Sequence, residues 1–134
     1  MEVKVESKIG RLNCDDSRIY GFLSDCNNFQ QFAASDKVKN WKSDSESCSF
    51  TVDGAGDVAF RIVERRAGEL IKFSIENAQA ENIFLWVQLK NVHSGDTRIK
   101  LTAKLDANPM VRMFISKPLK QGLDKIVETL ERTC

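Results

Sequence analysis

From residue 2 to residue 12 apolar and polar positions alternate. Val3, Val5, Ser7 and Ile9 fall on one side and Lys4, Glu6 and Lys8 on the other, which predicts a half-buried strand. The stretch CDDSRIYGFLSD then sets capping aspartates before Ile19, Phe22 and Leu23, which share a helical face. After a break at SDCNN, Phe29, Phe32 and Ala33 repeat that spacing in FQQFAAS, so a second short helix is expected. Between Val38 and Asp106 the spacing drops to two, and turn residues cut the chain into successive strands: VKNWKSD, SCSFTVD, VAFRIVER, LIKFSIEN, NIFLWVQLKNV and TRIKLTAKLD. The connections DGAGD, RAGE, AQAE and HSGD are hairpin-length, which makes neighbouring strands antiparallel.

Period 3.6 returns at the end. Asn108 is a good N-cap and Pro109 suits the first helical position. A helix over 109–132 would be about 36 Å long, comparable with six or seven strands at about 4.8 Å, so one helix can lie across the whole sheet. Its core stripe is Leu119, Leu123, Ile126, Val127 and Leu130, while Met110, Val111, Met113, Phe114 and Ile115 spread over more than one face. Pro118 leaves the carbonyl of Phe114 without its usual donor and predicts a bend. Gly122, on the face of Ile115, Leu119 and Ile126, has two readings. It allows close helix–sheet approach, or, with the bend, it leaves a void for a guest.

Parity along the strands separates two faces. Cys48, Phe50, Val52, Val58, Phe60, Ile62, Ile71, Phe73, Ile75, Leu85, Val87, Leu89, Ile99, Leu101, Ala103 and Leu105 share one; Arg61, Lys72, Ser74, Glu76, Gln88, Lys90, Arg98, Lys100, Thr102 and Lys104 share the other. This predicts an antiparallel sheet covered on one side. Phe84 and Trp86 fall on the wet parity. They mark a homodimer contact or wrap under a chain end, or a bulge turns them inside; Trp41 is equally ambiguous.

The order of strand, two short helices, six antiparallel strands and long C-terminal helix resembles the START-like helix-grip superfamily. SRIYGFLSDCNNFQQF and LWVQLKNV…DTRIKLTAKLDANPMVRMFISKPLKQGLDKIVETL are similar to the small bacterial polyketide cyclase/dehydrase-like proteins of that group. The resemblance covers essentially the whole chain, 1–134, as a single α+β domain: a curved antiparallel sheet of about seven strands gripping the terminal helix. It implies a cavity between sheet and helix for hydrophobic or amphipathic molecules. The glycine-rich loop of the plant allergens in that superfamily is not matched by DGAGD, which a hairpin explains.

Composition narrows the function. Twenty basic residues stand against nineteen acidic ones in 134 residues, so no bulk charge recruits nucleic acid or an anionic membrane. No apolar run approaches the roughly 18 residues of a membrane span, and MEVKVESKIG lacks a signal peptide's apolar core, so the cytoplasm is expected and stable membrane insertion is not. Cys14, Cys26, Cys48 and Cys134 are at least twelve residues apart, without zinc-site spacing, and are expected as reduced structural thiols, with Cys134 able to link two chains in air.

The expected function is non-catalytic binding of a small hydrophobic ligand, without cofactor or metal. Its pocket-lining candidates are Phe60, Ile62, Phe73, Leu85, Val87, Leu101, Met110, Met113 and Phe114, each also suited to plain core. An enzyme of cyclase or hydratase type would need a positioned acid or base. Tyr20, Glu64, Asn77, Glu81, Asn82 and His93 could supply one, but they form no catalytic grouping. A protein-interaction module would use the basic face of Arg61, Lys72, Lys90, Arg98, Lys100 and Lys104 with Lys4 and Lys8. Nucleic-acid motifs are absent.

Overall fold

Eight antiparallel strands form one curved sheet in the order β1-β8-β7-β6-β5-β4-β3, with β2 also paired to β8. They are β1 (Glu2–Glu6), β2 (Gly10–Leu12), β3 (Val38–Ser43), β4 (Ser47–Val52), β5 (Gly56–Arg66), β6 (Leu70–Asn77), β7 (Ala80–His93) and β8 (Asp96–Asp106). Helix α1 (Asp16–Leu23) and a 3-10 helix (Cys26–Ala33) follow β2, and α2 (Pro109–Thr133) ends the chain. The computed structural model describes residues 2–33 and 36–134; residues 34 and 35, the end of the expected second helix, lie outside the described residues. Among the described residues, no helix is long and apolar enough to cross a membrane.

The first predicted strand is two strands. Ser7 replaces a rung of the ladder with its own side chain: its N–H donates to Leu101 O and its hydroxyl accepts from Leu101 N–H, both at 2.8 Å. The inward parity therefore shifts from Val3, Val5 and Ser7 to Gly10 and Leu12, and Ile9, expected inside, is 67% exposed.

That break is where α2 seats. A Cβ on Gly10 would collide with Val127 Cγ1 and lie 3.1 Å from Ile99 Cγ2. The Lys8 N–H donates to Asp124 at 2.6 Å, the Arg11 N–H donates to Glu131 at 3.1 Å, and Lys8 Nζ lies 3.2 Å from Glu128. The close approach, one of the two readings of Gly122, thus belongs to Gly10; Gly122 is exposed and a Cβ there would meet nothing within 4 Å. The backbone of α2 approaches most closely β1, β2 and β8, at one side of the sheet.

A disulfide closes the same corner. Cys14 and Cys134, 120 residues apart in sequence, are bonded, with Cα atoms 5.8 Å apart. This corrects the expectation of four reduced thiols: Cys134 pairs within its own chain because the end of α2 is carried back to the chain leaving β2. Cys26 and Cys48 are free and buried.

The two faces of the sheet divide as the parity predicts. Every residue of the apolar set is buried or half-buried, and Thr102 is the one member of the polar set that is buried, its hydroxyl donating to Gln88 at 2.9 Å. Phe84 and Trp86 are on the outer face, ring centroids 6.0 Å apart, with Lys72 Nζ over both rings and Lys104 Nζ over Trp86. The lysine stems cover the rings, an arrangement that leaves neither aromatic fully exposed. Trp41 takes the other side, because Asn40, in the left-handed region at φ 59°, shifts the register of β3 against β4.

The glycine seat gives a paired prediction. Gly10→Ala should destabilise the protein by about 1–3 kcal/mol through overpacking against Val127, whereas Gly122→Ala should be neutral or stabilise by up to about 1 kcal/mol. Urea unfolding midpoints of the two variants check it; equal effects would contradict the assigned seat.

Candidate functional site

The inward parity of β4, β5 and β6 sets Phe50, Phe60 and Phe73 in a row across the concave face, and the 3-10 helix lowers Phe29 onto it. Trp41 stacks on Phe50 at 5.3 Å, Phe50 lies 5.9 Å from Phe60, Phe60 6.2 Å from Phe73, and Phe73 5.7 Å from Phe29. Edge-to-face and offset contacts at these spacings add about 0.5–1.5 kcal/mol per pair beyond the burial of area. Phe73 is 1% exposed, but Phe50 and Phe60 are only half-buried although they face inward, because they border open space.

That space is a cavity of about 250 Å³ between the aromatic row and the C-terminal half of α2. Leu85, Val87 and Leu101 form its floor, Leu23, Phe29 and Phe32 one end, and Ile126 and Leu130 its roof. Ile126, 39% exposed, sits at its edge. Two wider depressions, about 510 and 430 Å³, lie over β3–β6 and are lined by polar and charged side chains such as Lys42, Asp57 and Glu76.

The cavity wall offers almost nothing polar. The indole N–H of Trp41 donates away, to Ser43 Oγ at 3.1 Å. What remains is the sulfur of Cys48, which contacts Cys26. The hydrogen bond between the thiols, aided by burial, pushes Cys26 above the ordinary thiol range; the same bond, with one from the Phe60 N–H, holds Cys48 below it.

Of the nine residues proposed from sequence, Phe60, Phe73, Leu85, Val87 and Leu101 line this cavity. Ile62 is buried at 8% exposure outside the lining, and Met110, Met113 and Phe114 stand in solvent at 71%, 80% and 73%. Sequence reasoning missed the other wall. Phe29 and Phe32 carried helical spacing, and Cys48 and Phe50 shared the inward parity; a search for inward aromatics near the first helices would have found them. Trp41 was hidden by the bulge.

The acid–base candidates do not converge. Glu64 holds Arg66 at 3.1 Å; Asn77 donates to the carbonyls of Ala55 and Asp57; Asn82 donates to Asp106 at 2.8 Å; Glu81 is exposed; Tyr20 is half-buried and packs against the core. His93 sits 3.3 Å from Asp96, a buried carboxylate that Arg98 above all, then Arg11, holds below its usual range. None of the six lines the cavity. Among the described residues no three His, Cys, Asp or Glu side chains group as a metal site would require.

No family model matches the chain, and no curated protein matches it by sequence. Solved structures do. Norcoclaurine synthase from Thalictrum flavum, in complex with dopamine and hydroxybenzaldehyde, aligns over 99% of this chain and 86% of its own at TM-score 0.75 and 10% identity. The chain has the START-like helix-grip fold. An uncharacterised protein from Bacillus thuringiensis aligns over 99% and 98% at TM-score 0.72 and 11% identity, and Ara h 8.0201 over the whole of both chains at 0.62 and 13%. At these identities the shared property is the helix grip itself.

Thiol chemistry checks this geometry. The unfolded, unreduced protein should show two titratable thiols and the reduced protein four. In the folded protein a small uncharged alkylating agent should take Cys48, which lines the cavity, before the fully buried Cys26, as peptide mapping reads; the reverse order would contradict the placement of Cys48 on the cavity wall.

Proposed function

We propose that this protein binds a small, uncharged, ring-bearing apolar molecule in the aromatic cavity and performs no chemistry on it. The observation that carries the reading is the wall itself: fourteen residues, of which six are aromatic (Phe29, Phe32, Trp41, Phe50, Phe60 and Phe73), and a single thiol as its polar group. Burying a charge or an unpaired hydroxyl there would cost several kcal/mol, roughly 2–7 for a polar group without a partner, so such ligands are selected against. At about 250 Å³ the space falls just under the roughly 300 Å³ at which drug-sized pockets begin, which favours one or two fused rings over a long lipid. The norcoclaurine synthase structure, with its two small aromatic molecules, is a precedent for ring-bearing guests on this fold.

The absence of chemistry is supported by the position of the six acid–base candidates, all outside the lining. Proton transfer requires such a group within hydrogen-bond reach of the guest.

The neutral two-ring fluorophore N,N-dimethyl-1-naphthylamine tests the reading. In a Trp86→Phe background, which removes the indole on the outer face, it should bind saturably and quench Trp41. Phe60→Gln should weaken that binding at least about tenfold, since each factor of ten is about 1.4 kcal/mol. Failure of the wild-type chain to bind the probe saturably, or unaltered binding by the Gln variant, would overturn the proposal.

A further inference from the structure

The four cysteines of the chain form two pairs in the fold, and only one pair is bonded. Cys26 opens the 3-10 helix and Cys48 lies on β4; they are 0% and 4% exposed, and their thiols are hydrogen-bonded to each other. The backbone around them is already held. The Cys26 N–H donates to Ser45 O at 3.0 Å, Ser43 Oγ donates to Asn27 Oδ1 at 2.7 Å, and Arg65 joins Ser24 O, at 2.9 Å, to Glu46, at 2.7 Å. On both sides of Cys26 the chain is thus fastened to the β3–β4 hairpin. Bringing the two sulfurs to the roughly 2.05 Å of a disulfide then moves side chains rather than segments. The pair also differs in access. Cys48 lines the aromatic cavity and Cys26 does not, while Phe29 and Phe32, on the helix that Cys26 begins, form one end of that cavity.

We propose that Cys26 and Cys48 are a reversible thiol–disulfide site reached through the cavity, where a small uncharged organic disulfide oxidises the pair and the new bond fixes the phenylalanine-bearing wall to β4. The Cys48 sulfur, having given up its proton, attacks one sulfur of the organic disulfide. A mixed disulfide forms on Cys48, and the departing thiolate takes up a proton. Cys26 then gives up its proton and attacks the Cys48 sulfur beside it; the second organic thiolate leaves and is protonated. One organic disulfide is reduced to two thiols, and two cysteines are oxidised to one bond. Cys48 is the entry sulfur because it faces the cavity, and Cys26 resolves the adduct because it is buried against Cys48 outside the lining. A guest in the cavity closes the same route, a consequence that rests on the binding proposed above; the bond itself does not.

Dimethyl disulfide, added to the folded, guest-free full chain with its Cys14–Cys134 bond intact, tests the site. The intact mass should fall by two hydrogens, and peptide mapping should link Cys26 to Cys48. Cys26→Ala should stop at a methylthio adduct on Cys48, and Cys48→Ala should take up none. Saturating N,N-dimethyl-1-naphthylamine should slow the wild-type reaction at least about tenfold, by leaving under about a tenth of cavities empty. The linked protein should release that probe at least about threefold more slowly. An adduct that persists on Cys48 in the wild type, an adduct on Cys26, or a link that forms only after unfolding would overturn the site. An unchanged reaction rate with the probe bound, as Trp41 quenching reads, would overturn the cavity route, and unchanged release would overturn the fixing of the wall. A chain that links its thiols but binds no probe would support the site and overturn the binding reading instead.

Discussion

The structure depends on where the C-terminal half of α2 is pinned. The break between β1 and β2 creates a notch at Gly10 that only a residue without a side chain can form, and Val127 fills it. Around that contact the backbone N–H groups of Lys8 and Arg11, freed by the break, are taken by Asp124 and Glu131, and the Cys14–Cys134 bond closes the end. Apolar packing, charge-assisted hydrogen bonds and a covalent link thus act on one corner. A cross-link spanning 120 residues removes much conformational freedom from the unfolded chain, an effect on the order of 4–5 kcal/mol in the chain-entropy account.

Pinning the helix at one side has two consequences. Over β4–β6 the helix stands farther off, so the phenylalanines of the 3-10 helix and the aromatic row cover most of that face, with Ile126 and Leu130 above the space that remains. Rings at 5.3–6.2 Å spacing along this row leave a gap under Ile126 and Leu130 that they cannot close. The other consequence is that the first half of α2, held by the Asn108 cap and by half-buried Val111 and Ile115, carries an outward apolar turn that none of the described residues covers. Cavity and exposed turn are therefore two products of the same asymmetric seating.

Much of this was legible in the sequence because it is local. The period-2 pattern of β4–β8 placed Phe60, Phe73, Leu85, Val87 and Leu101 on one face, and Asn108 with Pro109 marked the start of α2, where the Asn108 side chain does accept the Val111 N–H at 2.9 Å. What was not legible depends on distant partners or on single backbone angles. Ile9 has the right polarity and parity for a strand interior, and nothing near it signals that Ser7 will bond Leu101 instead. Met113 and Phe114 look like cavity residues until the helix's lateral position is known. The left-handed Asn40 decided the side of Trp41, and Asn82, also left-handed at φ 50°, sits in the irregular stretch of β7 before Phe84. The pairing of Cys14 with Cys134 required the whole fold.

The central claim is that the space beneath Ile126 is dry and receptive to an apolar guest. Crystallography under xenon pressure tests this most directly, since xenon enters dry apolar cavities. The account predicts xenon among Phe50, Phe60, Phe73 and Leu130. A cavity without xenon, closed by the aromatic row or filled by a hydrogen-bonded chain of waters, would contradict it.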